Sequence, residues 1–258
     1  MSAGSTEAAI VGRQMRTAAI LPVKRFSLAK QRLGASVADP LRRDLAGAMV
    51  ADVLLALSQT EAIELTIVVT AEQSVARSAA GQGAIVVEDR AEVGQSAAVE
   101  LGVRRALQEG IERVLCIPGD CPALDPAELE LLLGSGASAE NHASRHGAGP
   151  TTAGGRGTVV IVPDRHGSGT NGLLLSPPDA IAPSFGAESC ERHRAAATAA
   201  GAECRLERPG SLLLDIDTGA DLAALRERLE GASSSARSTR AVLEESVRSG
   251  QLSSTGAG

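Results

Sequence analysis

Residues 65–88 read LTIVVTAEQSVARSAAGQGAIVVE. Two apolar, β-branched runs, Leu65-Thr66-Ile67-Val68-Val69 and Ala84-Ile85-Val86-Val87, flank a helix-forming stretch over Glu72 to Ala80. Neither run alternates apolar with polar residues, so neither describes a strand with one wet face. Continuous apolar strands separated by a helix indicate a parallel sheet covered on both sides. The same unit recurs around this segment. Ala18 to Val23 is a short apolar run. Asp39-Pro40 then supplies an N-cap and a first-turn proline, and Leu41, Leu45, Met49, Val53 and Leu57 recur every four residues as an amphipathic helix. Gln95 to Gly110 predicts a helix with Val99, Val103 and Leu107 on one face. Val114-Leu115-Cys116-Ile117 is a further buried strand, stopped by Pro118-Gly119, and Asp125-Pro126 opens a helix through Leu133. With right-handed crossovers as the default, the fold class is α/β, a doubly wound domain with a mostly parallel sheet.

Residues 134–157 are rich in Gly, Ala and Ser and lack apolar periodicity, so they are expected to form a flexible loop insertion. His142 and His146 stand four apart there, and the composition assigns them to solvated loop. Thr158 to Val162 predicts a strong strand and Leu173 to Leu175 another. A helix is expected from Ala187 through Ala200, a final strand over Leu212 to Leu214, and a helix from Ala220 to Leu229. A flexible N-terminus (1–16), one domain (17–230) and a disordered tail (231–258) complete the organisation. The tail has room for a short helix around Val242 to Val247.

Composition excludes several functions. Among 258 residues there is no Trp, no Tyr and only two Phe, Phe26 and Phe185, and the formal charge is −6. A chain without aromatic platforms or a basic surface is not built to hold nucleic acid. No run reaches the roughly 18 apolar residues of a membrane span, and no leader for export is expected. The cysteines, Cys116, Cys121, Cys190 and Cys204, form no CxxC pair, which argues against a disulfide framework or zinc site and fits a reducing cytoplasm.

In open α/β sheets, ligands bind beyond the carboxyl ends of the strands. Four cations, Lys24, Arg25, Lys30 and Arg32, follow the first strand, a candidate phosphate cradle or a solvated basic loop. Asp120 stands in the stiff segment Pro118-Gly119-Asp120-Cys121-Pro122, placed to hold Mg²⁺ or to cap a turn. Asp215 and Asp217 end the last predicted strand and share one side of it, a pair able to share an ion, with Thr218 as a helix cap. Two carboxylates from distant strand ends and a basic loop are the minimal parts of nucleotidyl transfer. Gly167, Ser168, Gly169, Thr170 and Asn171 suggest an anion-binding backbone nest. Main-chain amides around Ser184 to Ser189 stand at a helix start. His166 is a lone loop histidine, and the Ser189/His193 pair lacks the acid and oxyanion elbow of a nucleophile.

Five segments in order, LPVKRFSLAKQRL, PGDCPAL, DRHGSGTNGLLL, SFGAESCERH and LDIDTGADL, resemble the 2-phospho-L-lactate guanylyltransferase family, within the molybdopterin-guanine-dinucleotide-type nucleotidyltransferases. The resemblance covers about residues 17–230. It implies a Rossmann-like three-layer domain, Mg²⁺ as cofactor, and transfer of GMP from GTP to a three-carbon phospho-acid in coenzyme F(420) biosynthesis, with phosphoenolpyruvate as the expected acceptor. It implies Lys24, Lys30, Arg32, Gly94 and Ser96 for GTP, with Lys24, Lys30 and Asp120 in catalysis. It implies Asp120 with Asp217 or Asp215 for the metal. Thr170, Asn171, Gly186 and Ser189 would hold the acceptor. Gly94-Gln95-Ser96-Ala97-Ala98 stands where the family usually carries a Gly-Leu-Asn-like stretch near the base. The next enzyme of the pathway is a candidate partner. The competing readings are 2-phospho-L-lactate or 3-phosphoglycerate as acceptor, a molybdopterin or sugar-phosphate nucleotidyltransferase, and a non-enzymatic nucleotide-binding regulator.

Overall fold

The computed structural model describes residues 15–27, 33, 37–143, 157–230 and 235–249. Among them the chain runs β1 (Thr17–Val23), α1 (Asp39–Ser58), β2 (Leu65–Thr70), α2 (Gln73–Gly81), β3 (Ile85–Glu88), α3 (Gln95–Gln108), β4 (Arg113–Cys116), α4 (Pro126–Ala143) and β5 (Thr158–Pro163). Then follow β6 (Thr170–Ser176), α5 (Ser189–Ala200), β7 (Glu203–Leu206), a 3₁₀ turn (Gly210–Leu212), α6 (Gly219–Glu230) and α7 (Arg237–Arg248). The sheet order is β3-β2-β1-β4-β6-β5-β7. Every pairing is parallel except those of β6, which runs antiparallel to both β4 and β5.

The period of two along each strand divides the core. Ala19, Leu21, Leu115, Val160 and Leu174 pack with α1, α2 and α4 on one face. Their neighbours Ala18, Ile20, Val114, Ile161 and Leu173 pack with α3 and α5 on the other. A strand whose two side-chain rows are both buried reads as a continuous apolar run, which is why these strands were legible. Beyond α1 lies a third cluster, where Leu41, Leu45 and Met49 meet Leu222, Leu225 and Leu229 of α6 and Leu243 of α7. The helix expected to be amphipathic is therefore covered from both sides, and Ala38, not Asp39, is its N-cap residue.

Four expectations are corrected. Residues 212–214 form no strand: Leu212 and Leu213 pack on the α1/α4 face of the sheet while Leu214 packs in the third cluster, so the three leucines are divided between two layers. The place at the sheet edge beside β5 is taken by β7, whose sequence ECRL is too polar and half-exposed to announce a strand. Residues 134–143 are not loop but continue α4, since alanines propagate a nucleated helix at little cost. This takes in His142, whereas His146 falls outside the described residues. The supposed lead-in ends at an anchored residue: Arg16 pairs with Glu64 at 2.7 Å and donates to the Glu109 carbonyl at 2.8 Å.

The fourth correction concerns the tail. Residues 237–248 are not disordered but form α7, docked on α1. Its buried positions, Thr239, Leu243 and Ser246, follow helical spacing, yet two of the three are polar, and so the pattern escapes a hydropathy reading. The dock is electrostatic as well as apolar. The Asp52 carboxylate on α1 is buried (4% exposed) and accepts the backbone N–H groups of Ser238 and Thr239, each at 2.8 Å. A carboxylate at a helix N-terminus satisfies amides that have no partner within the helix and complements its dipole. Asp52→Ala is expected to cost about 1–3 kcal/mol by leaving both amides unmet. Chemical denaturation reads that loss, and hydrogen exchange should show α7 released while the sheet stays protected. Unchanged exchange in α7 would mean that the apolar contacts alone hold it.

Candidate active site

The chain leaves β1 toward β2 and β3 and then returns to the other side of β1 with β4. The crevice between the carboxyl ends of β1 and β4 is thus the topological switch point. A cavity of about 280 Å³ opens there. Its walls are Pro22 to Lys24 after β1, Pro118 to Asp120 after β4, Gly94, Gln95 and Ala98 at the start of α3, and Asp217. Phe26, Ala46, Met49 and Val50 form an apolar side. The N-terminus of α3 reaches the cavity with no side-chain cap, leaving the positive end of the helix toward it.

Of the four predicted cations, Lys24 lines the cavity. Arg25 turns to Glu92 in a 3.0 Å ion pair. Lys30 and Arg32 lie outside the described residues. The start of the basic loop is pinned where Phe26 N–H donates to Glu72 at 3.2 Å and Thr70 Oγ1–H donates to the Val23 carbonyl at 2.7 Å. The cavity wall is otherwise acidic, with Asp89, Glu92, Asp120 and Asp217. Asp89 and Glu92 were not anticipated, although they follow β3 and the strand-end rule applied to that strand points to them. Gly94 lines the cavity as expected. Ser96 does not: its Oγ accepts the Phe185 N–H at 2.8 Å, tying α3 to the loop before α5.

The three predicted metal carboxylates come from two loops joined by one backbone bond, Ile216 N–H to the Asp120 carbonyl, 3.0 Å. Ile216 is fully buried, and Asp215 and Asp217 flank it, each half-buried. They stand in an irregular segment rather than in the strand expected there. Asp217 is positioned by the residues after it. The Asp221 carboxylate accepts the N–H groups of Asp217 (3.1 Å) and Thr218 (2.7 Å), while Thr218 Oγ1 accepts the Asp221 N–H at 3.3 Å. This reciprocal cap was legible as Thr-x-x-Asp. Arg165 closes over it with a 2.6 Å ion pair to Asp221. Asp215 accepts a hydrogen bond from Asn171 Nδ2 at 3.1 Å. Burial raises its pKa above the ordinary carboxylate value, and the charges of Asp120 and Asp217 push the same way. Among the described residues no three His, Cys, Asp or Glu side chains form a ready metal cage. Two cavity-wall carboxylates with a third nearby fit Mg²⁺, which completes its oxygen shell with substrate phosphates and water.

At the neighbouring strand end, β6 begins with Thr170 and Asn171, whose side chains take opposite faces of the sheet. Because β6 is antiparallel, its start lies level with the ends of β4 and β5. Asn171 reaches the Leu212 carbonyl (2.9 Å) and Asp215. Thr170 faces α5, where Ser189 Oγ lies 3.0 Å from its hydroxyl and His193 Nδ1 lies 3.1 Å from it. Gly186 (φ +113°) shapes the loop before α5 in a conformation closed to other residues. Arg192 clamps that loop through Ser184 and the carbonyls of Ser184, Phe185 and Ala187. The nest expected over residues 167–171 is filled from within at Ser168, whose N–H donates to Asp164 Oδ1 at 3.0 Å. A Cβ on Gly169 would stand 2.6 Å from the same carboxylate, so this glycine makes room for Asp164 rather than for a ligand. His166, bonded to Arg165 at 3.1 Å, stays an exposed loop residue.

Residues 17–248 match the family described as "Guanylyl transferase CofC like". A phosphoenolpyruvate guanylyltransferase of Conexibacter woesei is 46% identical over 234 residues, covering 91% of this chain and 98% of that protein. Another, from Sphaerobacter thermophilus, is 37% identical, covering 82% and 93%. The solved structure of a nucleotidyl transferase from a Methanothermobacter species shares the fold with a TM-score of 0.56 at 21% identity, over 85% of this chain and 99% of that one. A family match of this reach makes the chain a member of the CofC-like guanylyl transferases, which are nucleotidyltransferase enzymes.

Proposed function

We propose that this enzyme moves GMP from GTP onto phosphoenolpyruvate, giving enolpyruvoyl-2-diphospho-5′-guanosine and diphosphate, a step of coenzyme F(420) biosynthesis in the cytoplasm. The observation that carries the reading is the junction at the start of β6. Through Asn171 the strand touches Asp215, the neighbour of the crevice carboxylates, and Thr170 supplies one hydroxyl of a buried pair with Ser189. Nucleotide chemistry and acceptor binding thereby meet at one rim of the sheet. Phosphoenolpyruvate is favoured as acceptor because the two relatives compared above carry that name.

In this scheme the triphosphate lies over Lys24, with Lys30 and Arg32 as further cations. Gly94 and the open end of α3 face the nucleotide, and Ser96 acts by holding the 184–188 loop against that helix. Asp120 and Asp217 would hold Mg²⁺, with Asp215 supporting them from behind Asn171. Bound there, the ion would neutralise phosphate charge and fix the α-phosphorus for in-line attack. A phosphate oxygen of the acceptor forms the new bond to the α-phosphorus as the bond to the β-phosphate breaks and diphosphate leaves. That oxygen is already ionised, so no side chain need remove a proton. Thr170, Asn171, Gly186 and Ser189 orient the acceptor, and alignment with charge neutralisation supplies the rate. Under this reading the enzyme that consumes the guanylylated product is a candidate partner.

Purified enzyme with Mg²⁺ and GTP should release diphosphate with phosphoenolpyruvate faster than with 2-phospho-L-lactate or 3-phosphoglycerate, and faster with GTP than with ATP. The assay is run with and without the following pathway enzyme. No release with any acceptor would contradict the reading, and preference for another acceptor would correct its substrate. In the same assay Asp120→Ala is expected to lower turnover at least about a hundredfold while leaving the circular dichroism spectrum and Tm in place. Retained turnover would remove Asp120 from the metal site.

A further inference from the structure

His193 is fully buried on α5, and its two ring nitrogens have different partners. Nε2 lies 2.9 Å from the Ser184 backbone N–H. That N–H can only donate, so Nε2 must be the bare, accepting nitrogen, and the ring proton must sit on Nδ1. Nδ1 lies 3.1 Å from Thr170 Oγ1, which lies 3.0 Å from Ser189 Oγ. The ring stays neutral in this setting. Burial, and after it the Arg192 charge, pushes its pKa down to about 4. Phe185 packs edge-on against it, with ring centroids 5.2 Å apart.

Counting hydrogens along the chain gives its polarity. Three polar hydrogens, one on Nδ1 and one on each hydroxyl, serve two internal contacts. One O–H is therefore left over, whichever way the hydroxyls turn. Were the ring proton on Nε2, two hydrogens would serve the same two contacts, and the pair would have only lone pairs to offer a ligand. Lone pairs repel an anion, whereas a surplus O–H binds one. We infer that His193 is a positioning residue for the acceptor: the Ser184 amide locks its tautomer, and the locked ring turns the Thr170/Ser189 pair into a hydroxyl donor for the phospho-acid. The inference rests on the reading of Thr170 and Ser189 as the acceptor site. It also explains the otherwise unused combination of a buried histidine and an Arg192-clamped loop, since the clamp fixes the Ser184 amide that chooses the tautomer.

Two measurements separate the inference from the reading beneath it. Long-range ¹H–¹⁵N NMR on histidine-labelled enzyme should show His193 with Nδ1 protonated and Nε2 bare. The opposite tautomer would overturn the inference and leave the acceptor site standing. Kinetically, His193→Gln can keep an acceptor for the Ser184 amide but loses the donor to Thr170. It should raise the acceptor KM roughly ten- to hundredfold, with the KM for GTP unchanged. His193→Asn, whose amide nitrogen falls near the Nδ1 position, should recover part of that loss. Equal losses in both KM values, with no recovery by Asn, would mark His193 as merely structural. The acceptor reading has its own control. If Thr170→Val and Ser189→Ala both leave the acceptor KM unchanged while the Nδ1–H tautomer is observed, that reading fails and takes the role of His193 with it.

Discussion

The hydrogen bond from Ile216 N–H to the Asp120 carbonyl, 3.0 Å long, joins two loops that are 96 residues apart in sequence. One follows β4 and the other precedes α6. Joined, they set Asp120, Asp215 and Asp217 at one end of the sheet. The bond holds because Ile216 is buried with Leu222 and Leu225 of α6 against α1. α1 is held in turn between the sheet and the outer helices. The outer layer thus does more than cover the core, since it seats the loop that completes the site.

Bringing like charges together costs free energy, and the raised pKa of Asp215 registers part of that cost. The surrounding bonds oppose relaxation. Asn171 holds Asp215, the Thr218/Asp221 cap holds the backbone of Asp217, and Arg165 neutralises Asp221 without entering the crevice. An acidic wall facing Lys24 is unsuited to a bare triphosphate and suited to one carrying a divalent cation. Under the proposed reading the hydroxyl pair at Thr170 would use the complementary device, neutral donors oriented in advance, and the two ends of the site would accept anions by different physics.

The legibility of the chain follows the same physical lines. Strands in a sheet covered on both faces announce themselves because both side-chain rows are apolar, and six of the seven described strands were readable, the antiparallel β6 among them. The exception, β7, is an edge strand like β3 but carries both Glu203 and Arg205 within its four residues. α7 was hidden because Thr239 and Ser246 occupy buried positions and because its dock is Asp52, 185 residues or more away. The candidate residues Lys24 and Asp120, which follow β1 and β4, could be found by position alone, whereas Gly94 came only with the family resemblance. Those that act through tertiary contacts could not: Asn171 was named for the acceptor but also holds Asp215, and Ser96 was named for the nucleotide but holds Phe185. His193 was visible only as a spacing, because its meaning depends on an amide nine residues earlier in a folded loop.

The central claim is that Asp120 and Asp217 form one cation-dependent nucleotide site. Calorimetric titration of the enzyme with a non-hydrolysable GTP analogue, in Mg²⁺ and then in EDTA, tests it most directly. The account predicts binding about tenfold or more tighter with Mg²⁺, a difference abolished in the Asp120→Asn/Asp217→Asn variant. Equal affinity with and without Mg²⁺ in the native enzyme, or a Mg²⁺ effect that survives in the variant, would contradict it.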